Sequence, residues 1–476
     1  MYFVRRFCSS TTTTTTITQN LVNNAARDTL PKVLVIAGPT GIGKTEISIK
    51  VAEKLNGEII CADSIQVYKN LQIGSNKITV QQQKQIKHHM FDILDVNEEH
   101  FNAQKYFIQT VDTIKDIVSR GKTPIIVGGC GFYIECVVKG LHDQVSLTNE
   151  ERDEIKKIEI KLKEKENWID ALNKLKELDP ESANRLVKND YYRLAKSLYI
   201  NSVKGERYSS YIQEKQLSIA DQYDFRSFYL TAPRTVLMEI LNQRSEKMIA
   251  QGIIQETVEM LMKGWNPFSR SSQSIGYRET IDILLQPPTR IIDDEKTAQF
   301  IRDFQSATRI YSRRQQTWFK RDANMEWIIA NPLPNFEPVP PPKLSKRQLK
   351  KANNPLFRKE ILLKQEEYNR IEREERENKR LKEENTISSV DHIIKSFNQS
   401  YSIFQMNRNR EEEDKLKVYS KQESKTYPQK FRIFETPDLR KNLVKALNSA
   451  RAYLSRNKPE LFTMKNPFTK TFNPDE

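Results

Sequence analysis

Apolar, β-branched runs bounded by polar turns recur through the first third of the chain. Lys32-Val-Leu-Val-Ile-Ala37 is continuous enough to predict a strand buried on both faces. Glu46–Leu55 then carries apolar residues at helical spacing, and Glu58-Ile-Ile-Cys-Ala62 reads as a second strand. Val111–Arg120 predicts a further helix and Pro124-Ile-Ile-Val127 a third buried strand. Strand–helix–strand alternation implies a parallel sheet with right-handed crossovers, an α/β core.

After about Gly140 the pattern predicts helices and no more strands. Asn149–Leu178 is charged and helical, and helical patterning continues to Tyr199. Arg234–Lys263 (with Val236, Leu237, Ile240, Leu241 and Met248) and Ala298–Lys320 repeat the helical spacing. Six prolines fall within residues 331–342, a linker by composition. Beyond it Lys343–Glu384 is dense in Lys, Arg and Glu, which suits a solvated helix or a disordered tail. This divides the chain into a leader (1–30), an α/β core (31–145), a helical insertion lobe (146–225), a helical return onto the core (226–330) and a linker with charged tail (331–476). The tail offers little apolar surface, so removal of residues 343–476 is expected to leave the core folded.

Composition narrows the function classes. Of 476 residues, 37% are hydrophobic, below the ~45–50% of ordinary globular chains, so part of the chain stays solvated. No apolar run reaches the ~20 residues that span a bilayer; the longest candidate, Pro124–Gly140, is broken by glycines and Glu135. A membrane partner is therefore not expected. The four cysteines form no CxxC pair and the five histidines no HxxxH pair, which excludes a disulfide framework and a zinc finger. The formal charge of +15 points weakly to a polyanionic partner. The first 27 residues hold no acid and are Ser/Thr-rich with Arg5, Arg6 and Arg27, the composition of a mitochondrial transit peptide. The expected location is mitochondrial, or else cytoplasmic.

The chemistry concentrates where the first strand meets the first helix. Gly38-Pro39-Thr40-Gly41-Ile42-Gly43-Lys44-Thr45 matches GxxxxGK[ST] in the context that motif requires. Its glycines let backbone N–H groups curl around phosphate oxygens, Lys44 adds a point charge, and the Thr45 hydroxyl suits Mg²⁺. A di- or triphosphate is the implied ligand, and the fold class is an α/β, P-loop NTPase-like core. A hydrolase would add an acid at a later strand end, but Pro124–Val127 runs into Gly128-Gly129. Glu58–Ala62 instead ends in Asp63-Ser64, at the sheet edge where ligands of such folds bind. Metal ligand, general base and helix N-cap are all open to Asp63 at this level.

These segments together resemble the tRNA dimethylallyltransferase (tRNA isopentenyltransferase) family. The likeness runs through Gly38–Thr45, Ala62-Asp-Ser-Ile-Gln-Val-Tyr-Lys69, Ile73-Gly-Ser-Asn-Lys77, His88-His89 and Pro124–Tyr133. It continues through Leu178-Asp-Pro-Glu-Ser-Ala183, Ser274-Ile-Gly-Tyr-Arg-Glu279 and Thr308–Phe319, covering about residues 31–330 in family order. The resemblance implies transfer of a dimethylallyl group from dimethylallyl diphosphate to N6 of an adenine next to the tRNA anticodon. It implies tRNA as partner, Mg²⁺ as cofactor and a monomer. By resemblance, the loop residues, Lys44 and Arg244 hold diphosphate, Thr45 the metal, and Asp63 takes the N6 proton. Asp63, Ser64, Ile65 and Gln66 then match the base-reading segment. Arg193, Lys196, Ser274, Ile275, Gly276, Tyr277, Arg313, Arg314, Gln315, Thr317 and Trp318 match RNA-facing segments. Independently of the resemblance, Arg309–Arg321 is basic with aromatics interleaved, which suits phosphate pairing and stacking.

Three departures stand out. Cys130 replaces the family's usual threonine beside metal and diphosphate, and is expected to act there more weakly. Ile240 replaces the first of two arginines four apart, leaving Arg244. No ligands exist for the C-terminal zinc finger of many eukaryotic members. The competing readings are a small-molecule P-loop kinase, a free-adenylate isopentenyltransferase and a catalytically weakened RNA-binding relative.

Overall fold

The computed structural model describes residues 28–141, 145, 147–164, 167–213, 218–287, 290–322, 325–330, 383–384, 386–399 and 437–464. The leader before Asp28, and most of the tail expected to be helical or disordered, lie outside the described residues.

Strands β1 (Lys32–Ala37), β2 (Gly57–Ala62), β3 (His88–His89), β4 (Thr123–Gly128), β5 (Asp224–Thr231) and β6 (Met325–Ile329) form one sheet, ordered β3-β2-β4-β1-β5-β6. Every pairing is parallel. The three predicted strands are β1, β2 and β4. Their side chains alternate between two buried layers, as a period of two requires. Val33, Val35 and Ala37 face one layer, and Leu34 and Ile36 the other.

The expectation that strands stop after Gly140 is wrong. β5 (Asp-Phe-Arg-Ser-Phe-Tyr-Leu-Thr) pairs along the whole of β1 and β6 continues the sheet. Its pattern was hidden because Arg226 and Asp224 are polar yet fully buried. Their ion pair (Nε to Oδ2, 2.7 Å) places both charges inside the sheet layer.

Helices α1 (Lys44–Lys54), α2 (Val80–Gln85), α3 (Ala103–Ser119) and α4 (Gly131–Lys139) connect the first strands. The insertion lobe comprises α5 (Asn149–Glu164), α6 (Trp168–Leu178), α7 (Pro180–Arg185), α8 (Tyr191–Tyr199) and α9 (Tyr208–Gln213). It has two small cores of its own, around Ile155 with Tyr199 and around Trp168 with Leu175. The Leu178–Ala183 motif is structural. Asp179 caps α7 through the Ser182 N–H and also accepts the Ser209 N–H at 2.8 Å.

The return consists of α10 (Arg234–Gln251), α11 (Ile253–Met262), α12 (Tyr277–Leu284) and α13 (Asp294–Phe319). The single helix expected over Arg234–Lys263 is broken at Gly252, whose φ of 105° is open to glycine and costly to other residues.

Two described segments of the tail dock on the core, against the expectation of a solvated tail. Helix α14 (386–398) places Val390, Ile393 and Phe397 in the layer beneath Leu34, Ile36 and Phe228. Lys54 pairs with Asp391 at 2.7 Å, and Lys32 donates to the Phe397 carbonyl at 3.0 Å. Helix α15 (Pro437–Asn457) packs against α11, α12 and α13. Its Leu443, Leu447 and Leu454, with Leu461 just beyond, are buried in the other layer. The apolar residues are too widely spaced among charges to register in composition, but they share one helix face.

Candidate active site at the sheet edge

The glycine-rich loop leaves β1 at the C-terminal edge of the sheet and enters α1. Gly41 and Gly43 adopt φ of 80° and 94°, left-handed conformations that the motif's glycines supply. Gly38 is excluded from any larger residue by packing, since a Cβ there would lie 2.9 Å from the Leu230 carbonyl oxygen. Lys44 folds back over the loop and donates to the Gly38 and Pro39 carbonyls, both at 2.9 Å. Burial lowers its pKa to about 8, with Arg244 adding to the fall and Asp63 opposing it.

Asp63 stands at the end of β2. Its Oδ1 accepts the Ile65 N–H at 2.9 Å and the Gln66 N–H at 3.3 Å, so it does cap the following turn. Its second oxygen has no hydrogen-bond partner among the described residues. The carboxylate therefore has one oxygen that fixes its orientation and one left for other work. Asp63, Ser64, Ile65, Ser274, Ile275, Thr40, Arg244 and Arg314 line a single cavity of about 840 Å³. Burial lowers the Arg244 pKa to about 10, against the pull of Asp63. A Cβ on Gly41 would lie 3.5 Å from Ile240 and 4.0 Å from Arg244, so both positions flank the loop and only Arg244 offers it a charge.

Other predicted residues are placed elsewhere. Gln66 is turned inward: its Nε2 donates to the Ser75 carbonyl and its Oε1 accepts from the Cys61 thiol, so it has neither end free to read a base. Lys196 is buried in the lobe, its ammonium 4.8 Å from the Tyr208 ring, and is not available to RNA. Arg193 on the same helix is exposed and paired with Asp190. Gly276 is the N-cap of α12, with φ of 93°. Tyr277 is fully buried, donates to Glu256 and accepts the Gly74 N–H at 3.1 Å, which makes it a structural residue behind the cavity wall.

Cys130 occupies the N-cap of α4, packs against the core cluster containing Tyr106 and Tyr133, and lies within electrostatic reach of the Asp63 carboxylate. Burial pushes its thiol up to about 11. On α13, Arg313 and Thr317 are exposed, Trp318 is 39% exposed, and Gln315 is buried against the loops. Thr45 sits in the first turn of α1, beside Lys44.

Sequence reasoning missed several residues of this wall. Glu256 accepts the Gln72, Ile73 and Gly74 N–H groups and so holds the segment that carries Gly74 and Ser75 to the cavity. Arg270, Arg278 and Tyr311 also line it. Arg278 and Tyr311 lie inside the family-like segments Ser274–Glu279 and Thr308–Phe319, whereas Arg270 is signalled only by its charge.

A six-stranded parallel sheet in this order, with a glycine-rich loop leaving its first strand at a cavity lined by both arginines and carboxylates, defines an α/β protein. Within that class the family is settled by similarity. The family model described as IPP transferase matches residues 66–322, and the chain belongs to this family. It is 35% identical over 308 residues to a tRNA dimethylallyltransferase of Caldanaerobacter subterraneus subsp. tengcongensis, a span of 64% of this chain and 94% of that protein. Against the tRNA dimethylallyltransferase of Thermotoga maritima it is 36% identical over 296 residues, 62% of this chain and 92% of that one. Among solved structures, a eukaryotic dimethylallyltransferase captured in crystallographic snapshots acting on tRNA superposes with a TM-score of 0.51. It is 28% identical, covering 63% of this chain and 74% of that one.

Proposed function

We propose that this chain transfers a dimethylallyl group from dimethylallyl diphosphate to N6 of an adenine next to the tRNA anticodon. The observation that carries the reading is the shared cavity: the loop flank (Thr40, Arg244) and the Asp63 carboxylate face one space, while Arg314 of the basic helix stands on its wall. The relatives named above are tRNA dimethylallyltransferases.

In this reading the N6 nitrogen forms a bond to the allylic carbon as the bond from that carbon to the diphosphate oxygen breaks. The proton lost by N6 passes to the open oxygen of Asp63, a general-base role worth ~10²–10⁴-fold in rate. Lys44 and Arg244 hold the leaving diphosphate and offset its growing charge. The adenine must leave its stack to reach the sheet edge, as in other enzymes that act on an extruded base. Arg313 and Arg314 supply phosphate pairing on the RNA side.

The donor set fits a magnesium ion shared with substrate. Among the described residues no cluster of three or more His, Cys, Asp or Glu could cage a metal. Mg²⁺ commonly keeps several waters and binds between one or two protein oxygens and substrate phosphates. Thr45 would hold it, and the ion would supply charge neutralisation at the diphosphate.

The test is product analysis with labelled dimethylallyl diphosphate offered with tRNA, AMP or ATP. Label in N6 of tRNA adenine is expected. Label in AMP alone would make the protein a free-adenylate isopentenyltransferase, and RNA binding without any product would make it a non-catalytic relative.

A further inference from the structure

Gln315 was expected among RNA-facing residues, but the structure puts it between the two loops of the diphosphate end. Its carboxamide is buried, and both ends are engaged. Oε1 accepts the Thr40 N–H at 3.0 Å, and Nε2 donates to the Gly129 carbonyl at 3.0 Å. One amide thus spans the glycine-rich loop after β1 and the Gly128-Gly129 turn after β4. Few side chains can do this. Glutamate lacks the donor, lysine and arginine lack the acceptor, and asparagine is a methylene too short.

The surrounding glycines are shaped to admit α13. A Cβ on Gly129 would lie 2.1 Å from Gln315 Nε2, and one on Gly131 would lie 2.3 Å from the Trp318 ring. Gln315 and Trp318, three apart, therefore clamp the Gly129-Cys130-Gly131 turn from a single face of the helix. Phe132 adds an edge-on contact to Trp318 at 6.3 Å between centroids. Arg313 and Thr317 lie on the opposite, exposed face of the same turns. α13 is one continuous helix from Asp294 to Phe319, so whatever engages its exposed face acts on a rigid element whose inner face fixes both loops.

We propose that Gln315 is a positioning residue that couples RNA engagement on α13 to the geometry of the diphosphate loop. This rests on the transferase reading above. Withdrawal of α13 from the loops by a fraction of an ångström would lengthen both 3.0 Å bonds. RNA that holds the helix in its seated position therefore holds the Thr40 amide and the Gly129 turn in place for the diphosphate. By linkage the effect is reciprocal, and diphosphate tightens RNA by the same factor.

The experiment measures the dissociation constant of inorganic diphosphate, with Mg²⁺, in the absence and presence of saturating tRNA. It compares the wild-type chain, Gln315→Met and Gly129→Ala; the alanine Cβ would displace the flexible amide end and would also stand 3.3 Å from the Gly38 carbonyl oxygen, so the methionine variant carries the comparison. In the wild type, tRNA is expected to tighten diphosphate about fivefold or more, the lower end of ordinary coupling. Both variants should bring this factor close to one, raise KM for the allyl diphosphate and leave tRNA affinity within about threefold. Independently of any variant, hydrogen exchange at the Thr40 amide in the wild type should slow when tRNA binds. A wild-type factor of one, a variant that keeps the wild-type factor, or unchanged Thr40 exchange would each overturn the proposal. Product formation by the wild type is read in parallel. If no prenylated tRNA forms, the transferase reading fails; if it forms and the variants couple normally, only the role of Gln315 fails.

Discussion

Lys44→Met should make the ligand-free protein more stable while removing its affinity for diphosphate. The reason lies in the lysine's surroundings. With no anion in the loop, burial and the neighbouring Arg244 cation act against the ammonium, and Asp63 only partly compensates. A fall from 10.5 to about 8 amounts to roughly 3 kcal/mol of cost for carrying the charge at neutral pH. That figure is an upper bound, because the side chain is only partly buried.

The sign follows from proton counts. Between pH 8 and 10.5 the unfolded chain binds more protons at this position than the folded one, so stability rises with pH across that window. The penalty is fully present below pH 8. Thermal melts at pH 7 should therefore put Lys44→Met a few degrees above wild type, and the gap should close as pH climbs past 8. Calorimetric titration with inorganic diphosphate should show binding lost in the variant, and weakening in the wild type as pH rises through about 8. The reasoning fails if Lys44→Met melts at or below the wild type at pH 7, or if the gap is independent of pH.

Further outcomes follow from the same geometry. Asp63→Asn keeps the turn-capping oxygen and loses the base, so turnover should fall ~10²–10⁴-fold with tRNA affinity nearly unchanged; near-full activity would leave Asp63 a cap only. Arg313→Ala and Arg314→Ala should each lower the log–log salt slope of tRNA binding by roughly 0.7–0.9, and an unchanged slope would mean a merely solvated helix face. Cys130→Thr should raise the rate at limiting Mg²⁺, because position 130 opens α4 at the Gly128-Gly129 turn, within electrostatic reach of Asp63; identical magnesium curves would leave the thiol a core filler. Leu447→Ala should cost about 2–5 kcal/mol in urea unfolding unless α15 undocks first, and an unchanged midpoint would show that the helix contributes nothing.

The sequence was most legible where one physical requirement acted alone. β1, β2 and β4 declared themselves because both faces are apolar, and the glycine-rich loop because its φ angles exclude other residues. β5 was hidden by a buried ion pair that reads as polar. The tail was misread because its core-facing leucines are diluted by lysine and arginine on the other face. In the site, the structure puts Asp63 and Arg244 beside the loop. Gln66, Lys196 and Tyr277, assigned by matching family segments, each have an internal partner that sequence alone does not reveal. Gln315 shows the converse: a side chain on a basic, RNA-like helix whose work is on the inside.

The docking of α14 and α15 bears on how this protein is made. Roughly a hundred residues separate the end of β6 at Ile329 from the start of α15 at Pro437, which at ~5–20 residues per second is several seconds of synthesis. During that interval a nascent chain holds every described strand of the sheet, yet the surface awaiting Leu447 and Leu454 stays uncovered throughout, and that awaiting Val390, Ile393 and Phe397 for about its first half. The protein is thus complete as a catalyst before it is complete as a solid. Chaperone demand should peak late in translation, and a transcript with a premature stop after β6 should yield aggregates rather than a shorter enzyme.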